Sequence, residues 1–155
     1  MVLKELCNLP GISGQENQVR EFIRNEIVDF SDEIKVDCLG NLMVKKRGHN
    51  CSKHVMFLAH MDEVGFMVDK IESSGIIKFS CVGGILPSIL PATSVTIHGK
   101  KTISGVMGIM PIHLQKNSIM EPVKLDSLYI DVGASSDKEL QDQIQIGDPI
   151  VFQTT

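Results

Sequence analysis

The sequence predicts an α/β chain in two parts: a helix-plus-sheet segment as far as Phe66, then a small β barrel or sandwich. Three observations carry this. Val19, Phe22, Ile23, Ile27 and Phe30 fall on one helical face, with Arg20, Glu21, Arg24 and Asn25 elsewhere. Residues 55–59 form a short apolar run of the kind buried on both faces of a sheet. Beyond Phe66, many short apolar segments are punctuated by glycine and proline. The first segment is too small to close a core of its own.

Taken in order, residues 2–6 predict a short helix halted by Leu9-Pro10-Gly11. Ser13-Gly14-Gln15-Glu16 has the form of a capping box, in which serine and glutamate satisfy each other's free backbone donors, and the one-faced helix follows it. Ile34, Val36 and Cys38 alternate with charged residues, and Leu42 and Val44 repeat the pattern after Leu39-Gly40-Asn41, which predicts a hairpin. Strands are expected over 66–68, 76–79, 94–97, 102–109, 128–132 and 149–152. Turns are expected at Ser73-Ser74-Gly75 and His98-Gly99-Lys100. Ser136-Asp137-Lys138-Glu139-Leu140 opens a short helix, again like a capping box. Residues 115–126 read as a mobile surface loop.

Composition excludes several classes. A formal charge of −4 argues against a nucleic-acid or anionic-membrane surface. With one tyrosine and no tryptophan, base-stacking platforms are also poorly supplied. No apolar run approaches the length of a membrane span, and no targeting peptide is visible. The four cysteines are scattered without a C-x-x-C pair, which points to reduced thiols in a cytoplasmic protein.

The chemistry-bearing stretch is Val55-Met56-Phe57-Leu58-Ala59-His60-Met61-Asp62-Glu63-Val64-Gly65-Phe66. Side chains at i and i+2 of a strand share a side, so His60 and Asp62 can enter one pocket at the strand's carboxyl end. A neutral imidazole suits zinc or cobalt, and a neighbouring carboxylate can ligate or hold the other ring N–H. Two residues do not make a metal site, and a polar strand end remains the alternative. Glu63 is either a third polar group or the start of a solvated turn. The loop His49-Asn50-Cys51-Ser52-Lys53-His54 lacks a paired second half and reads as a loop. Gly99, Gly105 and Gly108 do not form a dinucleotide fingerprint; Gly105 and Gly108 read as bulges or close backbone approaches. Met107, Met110 and Met120 read as core filler, and His113 as a structural histidine.

Six blocks occur in one order: Pro10-Gly11-Ile12-Ser13-Gly14, Asp37-Cys38-Leu39-Gly40-Asn41-Leu42, Ala59-His60-Met61-Asp62-Glu63-Val64-Gly65-Phe66, Val82-Gly83-Gly84, Ile130-Asp131-Val132-Gly133-Ala134-Ser135-Ser136 and Ile146-Gly147-Asp148-Pro149. Together they resemble the tetrahedral glutamyl or deblocking metallo-aminopeptidases, a family often also labelled endoglucanase. The resemblance covers nearly all of the chain. It implies an incomplete α/β/α zinc-peptidase sandwich over residues 1–66, followed by an inserted small β barrel that makes subunit contacts over residues 67–155. It also implies that His60 ligates one of two divalent metal ions, zinc or cobalt, and that Asp62 is the catalytic acidic residue orienting the histidine and its metal. The family's other ligands and its general-base glutamate lie beyond the barrel. The implied function is therefore release of N-terminal residues from peptides by a homo-oligomer, with this chain an N-terminal part. Alone it would be inactive and hold at most a partial metal site. The alternatives are a non-catalytic oligomerisation module and, last, an endoglucanase, whose chemistry needs two carboxylates flanking a sugar bond.

Overall fold

The computed structural model describes residues 2–49, 52–109 and 122–153. Two compact units divide the chain, Met1–Asp62 and Glu63–Thr155.

In the first unit, α1 (Val2–Leu6) is followed by α2 (Asn17–Ile27), which tightens into a 3-10 turn over Val28–Phe30. The Ser31 hydroxyl donates to the Ile27 carbonyl and occupies one of the acceptors left free at the helix end. The expected stripe is present, but its far end is not covered: Val19 is buried, while Phe30 is 70% exposed. β1 (Glu33–Val36) and β2 (Leu42–Lys45) pair antiparallel from Glu33↔Lys45 to Val36↔Leu42, as the alternation predicts. Asp37 organises their turn. Its carboxylate accepts the backbone N–H groups of Leu39 and Asn41 and the Asn41 side-chain amide. Gly40 takes the left-handed φ of 88° that the turn requires. Its carbonyl accepts a hydrogen bond from Arg20 of α2 at 3.3 Å, which ties the hairpin to the helix.

The second unit is a closed antiparallel barrel in the order β3-β4-β7-β6-β5-β8, with β8 returning to β3. Its strands are β3 (Gly65–Ile71), β4 (Ile77–Val82), β5 (Ser94–His98), β6 (Thr102–Ile109), β7 (Leu128–Asp131) and β8 (Pro149–Phe152). Period-two patterning fills the interior: Phe66 and Val68, Val95 and Ile97, and Leu128 and Ile130 are buried partners two apart. Leu140 of the short helix α3 (Asp137–Leu140) and Ile144 join the same core. Each such side chain contributes roughly 1.5–3 kcal/mol when fully buried. Met107 is core, as expected.

Gly105 and Gly108 are close approaches across the β6–β7 ladder, whose register from Val106↔Asp131 to Ile109↔Leu128 carries no bulge. A Cβ on Gly108 would meet the Tyr129 ring at 2.4 Å, and one on Gly105 the Ile130 side chain at 2.7 Å. The bulge lies instead in β3, between Val68 and Lys70.

One non-glycine residue among those described, Ala92, has a positive φ, 64°. Its N–H donates to the Met107 carbonyl at 2.8 Å, extending the β5–β6 pairing, so the ladder holds the left-handed conformation in place. Relief of that conformation outweighs the extra unfolded-state entropy of glycine, and Ala92→Gly is expected to stabilise the chain by about 0.5 kcal/mol. Equilibrium urea denaturation checks it; a lower midpoint would show that Ala92 is unstrained.

Three sequence expectations are corrected. Residues 55–59 are not a buried strand. Val55, Met56, Phe57 and Leu58 are exposed and belong to no strand, because a β-strand exists through ladder partners and the described residues supply none. The box at Ser13 does not form: α2 begins one position beyond Glu16, without a side-chain cap, and the Glu16 carboxylate accepts the Gly14 N–H. The second box does not form either: Ser136 makes no side-chain cap, and Glu139 accepts the N–H of Ser135, one residue before the cap. Among the described residues, the first unit is a mixed α/β unit of helices with one two-stranded sheet. Met110, His113, Met120 and residues 115–121 of the expected loop lie outside the described residues.

Candidate metal-ligand site at His60 and Asp62

Residues 53–62 follow an irregular path, yet they bring His60 and Asp62 together. The His60 Nδ1 atom lies 3.1 Å from Asp62 Oδ1 and 3.0 Å from the Asp62 carbonyl oxygen. Both neighbours are acceptors, so in the neutral ring Nδ1 carries the proton and Nε2 presents its lone pair outward. This is the tautomer that a metal ligand needs. The His60 side chain is 86% exposed, leaving Nε2 open to approach.

The other carboxylate oxygen of Asp62, Oδ2, accepts a hydrogen bond from the Ser13 hydroxyl. That bond is the largest influence holding the Asp62 carboxyl below its ordinary value; desolvation opposes it, and the His60 contact reinforces it. The carboxylate is thus engaged on both oxygens. Its engagement suits holding a neighbour better than binding an ion directly.

Close packing places Ser13. Gly11 has no room for a side chain: a Cβ there would lie 2.7 Å from Val19 Cγ2 on α2 and 3.6 Å from the Met61 carbonyl. The segment 10–12 is buried, and Gly14, at φ 86°, turns the chain immediately after the serine. Sequence reasoning assigned Ser13 to a helix cap and missed this contact. The available signal was the glycine on either side of Ile12-Ser13, which marks close approach and a sharp turn rather than a helix start.

The remaining sequence candidates do not join the pair. Glu63, His49 and His54 are exposed, and among the described residues no three metal-binding side chains gather. The donor set therefore fits one ligand position, His60 Nε2, and does not amount to a centre. Cys7, Cys38 and Cys81 are free thiols. Gly99 serves packing, since a Cβ there would meet Asp148 and the Gln143 carbonyl. No helix among the described residues is long and apolar enough to cross a membrane.

Comparison with known proteins places these features in a family. The chain is 34% identical over 145 residues to the lysyl aminopeptidase of Pyrococcus furiosus, covering 91% of this chain and 41% of that protein. A solved structure of a Thermotoga maritima protein named as an endoglucanase matches with a TM-score of 0.83 and 42% identity, over 97% of this chain and 44% of that one. The TET1 peptidase of Pyrococcus horikoshii, which can assemble into a tetrahedron or a large octahedral shell, matches with a TM-score of 0.85 and 36% identity, over 99% of this chain and 46% of that one. The chain spans less than half the length of these relatives. The M42 glutamyl aminopeptidase model matches residues 40–155, most of the chain, so the chain belongs to the M42 glutamyl aminopeptidase family.

Proposed function

We propose that this chain is the N-terminal part of a metal-dependent aminopeptidase, in which His60 ligates one of two divalent ions and Asp62 orients it. The observation that carries the reading is the pair of acceptors around His60 Nδ1, which leaves Nε2 as an outward-facing donor. Divalent ions of this kind, zinc or cobalt, polarise a scissile carbonyl and generate a nucleophile from bound water. The described residues offer one ligand, and the general base and remaining ligands belong to the rest of the enzyme. The contribution of this chain is to fix one imidazole in orientation and proton state. Residues 1–66 then belong to an α/β/α sandwich, and residues 67–155 are its inserted assembly barrel. The setting is cytoplasmic, and the substrates are peptides with a free N-terminus.

Assembly into a homo-oligomer fits the same reading. The relatives include a peptidase that can assemble into a tetrahedron or a large octahedral shell. Glycoside hydrolysis gains no support from the site, because it requires two carboxylates about 5–9.5 Å apart across a sugar bond rather than a His–Asp pair.

The test is metal-dependent release of amino acids from peptide amides, measured for the whole enzyme and for this chain alone. Activity is expected only from the whole enzyme. His60→Ala should lower it by several orders of magnitude, and Asp62→Ala roughly 10–100-fold, the usual cost of losing a partner that orients a ligand. Full activity in whole-enzyme His60→Ala would refute the ligand assignment. Metal-dependent turnover by this chain alone would refute the division of labour.

A further inference from the structure

In the Ser13–Asp62–His60 relay, three polar side chains are chained by hydrogen bonds toward an open donor atom. Ser13 stands 49 positions before Asp62, so the contact is tertiary rather than local. We infer that Ser13 is a positioning residue for the metal-ligand histidine: its hydroxyl anchors the Asp62 carboxylate, and the anchored carboxylate holds the His60 ring with its proton on Nδ1. The inference rests on the proposed role of His60 and extends it to a residue of the N-terminal loop.

The chemistry is a matter of rotamers and acceptors. An aspartate side chain turns freely about χ1 and χ2 unless something fixes it. His60 Nδ1 faces the Asp62 carbonyl as well as Oδ1, and the backbone carbonyl alone leaves the ring free to swing about that one contact. A carboxylate fixed at Oδ2 supplies the second, immobile acceptor. Remove the Ser13 hydroxyl, and Oδ1 is no longer held opposite Nδ1. The ring then drifts toward the Nε2–H tautomer, which has no lone pair at the outward nitrogen. Hydroxyl and carboxylate meet because Gly11, lacking a Cβ, lets the loop pack against Val19 and the Met61 carbonyl, so the serine arrives on a packed segment.

The experiment is nitrogen-15 NMR of the histidine side chains of this chain at about pH 8, above the ordinary imidazole range. His60 is assigned by its loss in His60→Ala. The expected result is a predominantly Nδ1–H ring in the parent and a clear rise of the Nε2–H form in Ser13→Ala and in Asp62→Ala. Ser13→Thr and Ser13→Val separate the hydroxyl from the bulk of the loop: threonine should restore the parent tautomer and valine should not. Unchanged amide resonances in α2 and the β1–β2 hairpin show that the first unit of each variant is folded. A parent-like ring in Ser13→Ala and Ser13→Val, together with an altered ring in Asp62→Ala, would overturn the role of Ser13 and leave the role of Asp62 standing. A parent-like ring in all of these variants would overturn both, because nothing in the cluster would then set the tautomer.

Discussion

Phe66→Ala is expected to lower the stability of the chain by about 3–5 kcal/mol, the largest effect of any single truncation in the barrel. Phe66 is fully buried, and its ring stands edge-on to Phe79 at 5.1 Å and to Phe152 at 5.2 Å. Each such aromatic pair adds about 0.5–1.5 kcal/mol beyond the area it buries. The position matters as much as the ring. Phe66 pairs with Cys81 on β4 and with Ile150 on β8, so it sits on the strand that closes the barrel from both sides. A domain of this size commonly holds only about 5–15 kcal/mol in all, so the loss takes a large share of its reserve. Urea denaturation followed by circular dichroism measures it, with Phe66→Leu as the volume-sparing control expected to cost less than about 1.5 kcal/mol. A Phe66→Ala loss below 1 kcal/mol on the order-of-magnitude scale of core truncations would show that the core collapses into the space and that the aromatic cluster does not hold the closure.

Gly75→Ala is expected to cost more than about 2 kcal/mol, for two separable reasons. Gly75 lies at φ 84°, where a Cβ is disfavoured by about 1–2 kcal/mol. The added Cβ would also sit 2.5 Å from the Ala134 carbonyl oxygen and 2.9 Å from its carbon, and backbone cannot swing aside as a side chain can. The turn is pinned on both sides. Gly75 N–H donates to Glu72 and Glu72 N–H to Ile76, both at 2.8 Å, while the Ser73 carbonyl accepts the Asp137 N–H at the start of α3. Any shift that relieves the clash therefore strains either the β3–β4 hairpin or the segment leading into α3. Gly133 isolates the first cost: its φ is 75°, but a Cβ there meets nothing within 4 Å. Gly133→Ala should lose only the backbone penalty, about 1 kcal/mol. Equal losses at the two glycines in thermal or urea melts would remove the clash from the account.

The barrel was legible in the sequence because each of its strands carries its own instruction. Val95 and Ile97, or Leu128 and Ile130, alternate with residues that face outward, and a period of two needs no knowledge of the partner strand to be recognised. The β1–β2 hairpin was legible for the same reason, with Gly40 and Asn41 marking the turn that Asp37 then organises. Residues 55–59 show where this logic fails. Their apolar character describes an environment the segment is suited to, and the described residues do not provide that environment, so the run stays exposed. Hydrophobicity is a property of the residue, and burial is a property of its neighbours.

The site divides along the same line. Sequence by itself singled out an imidazole and a carboxylate two positions apart, close enough that a local path brings Asp62 to His60 whether or not the segment is a strand. Only the tertiary structure decided that Ser13 completes the set, because a hydroxyl 49 positions away leaves no periodic or spacing signal. Four residues with Ser and Glu at the ends read equally well as a helix cap, and a local pattern cannot reveal a distant acceptor. The competition was settled by packing around Gly11, which holds the serine short of the helix start and against the Asp62 carboxylate.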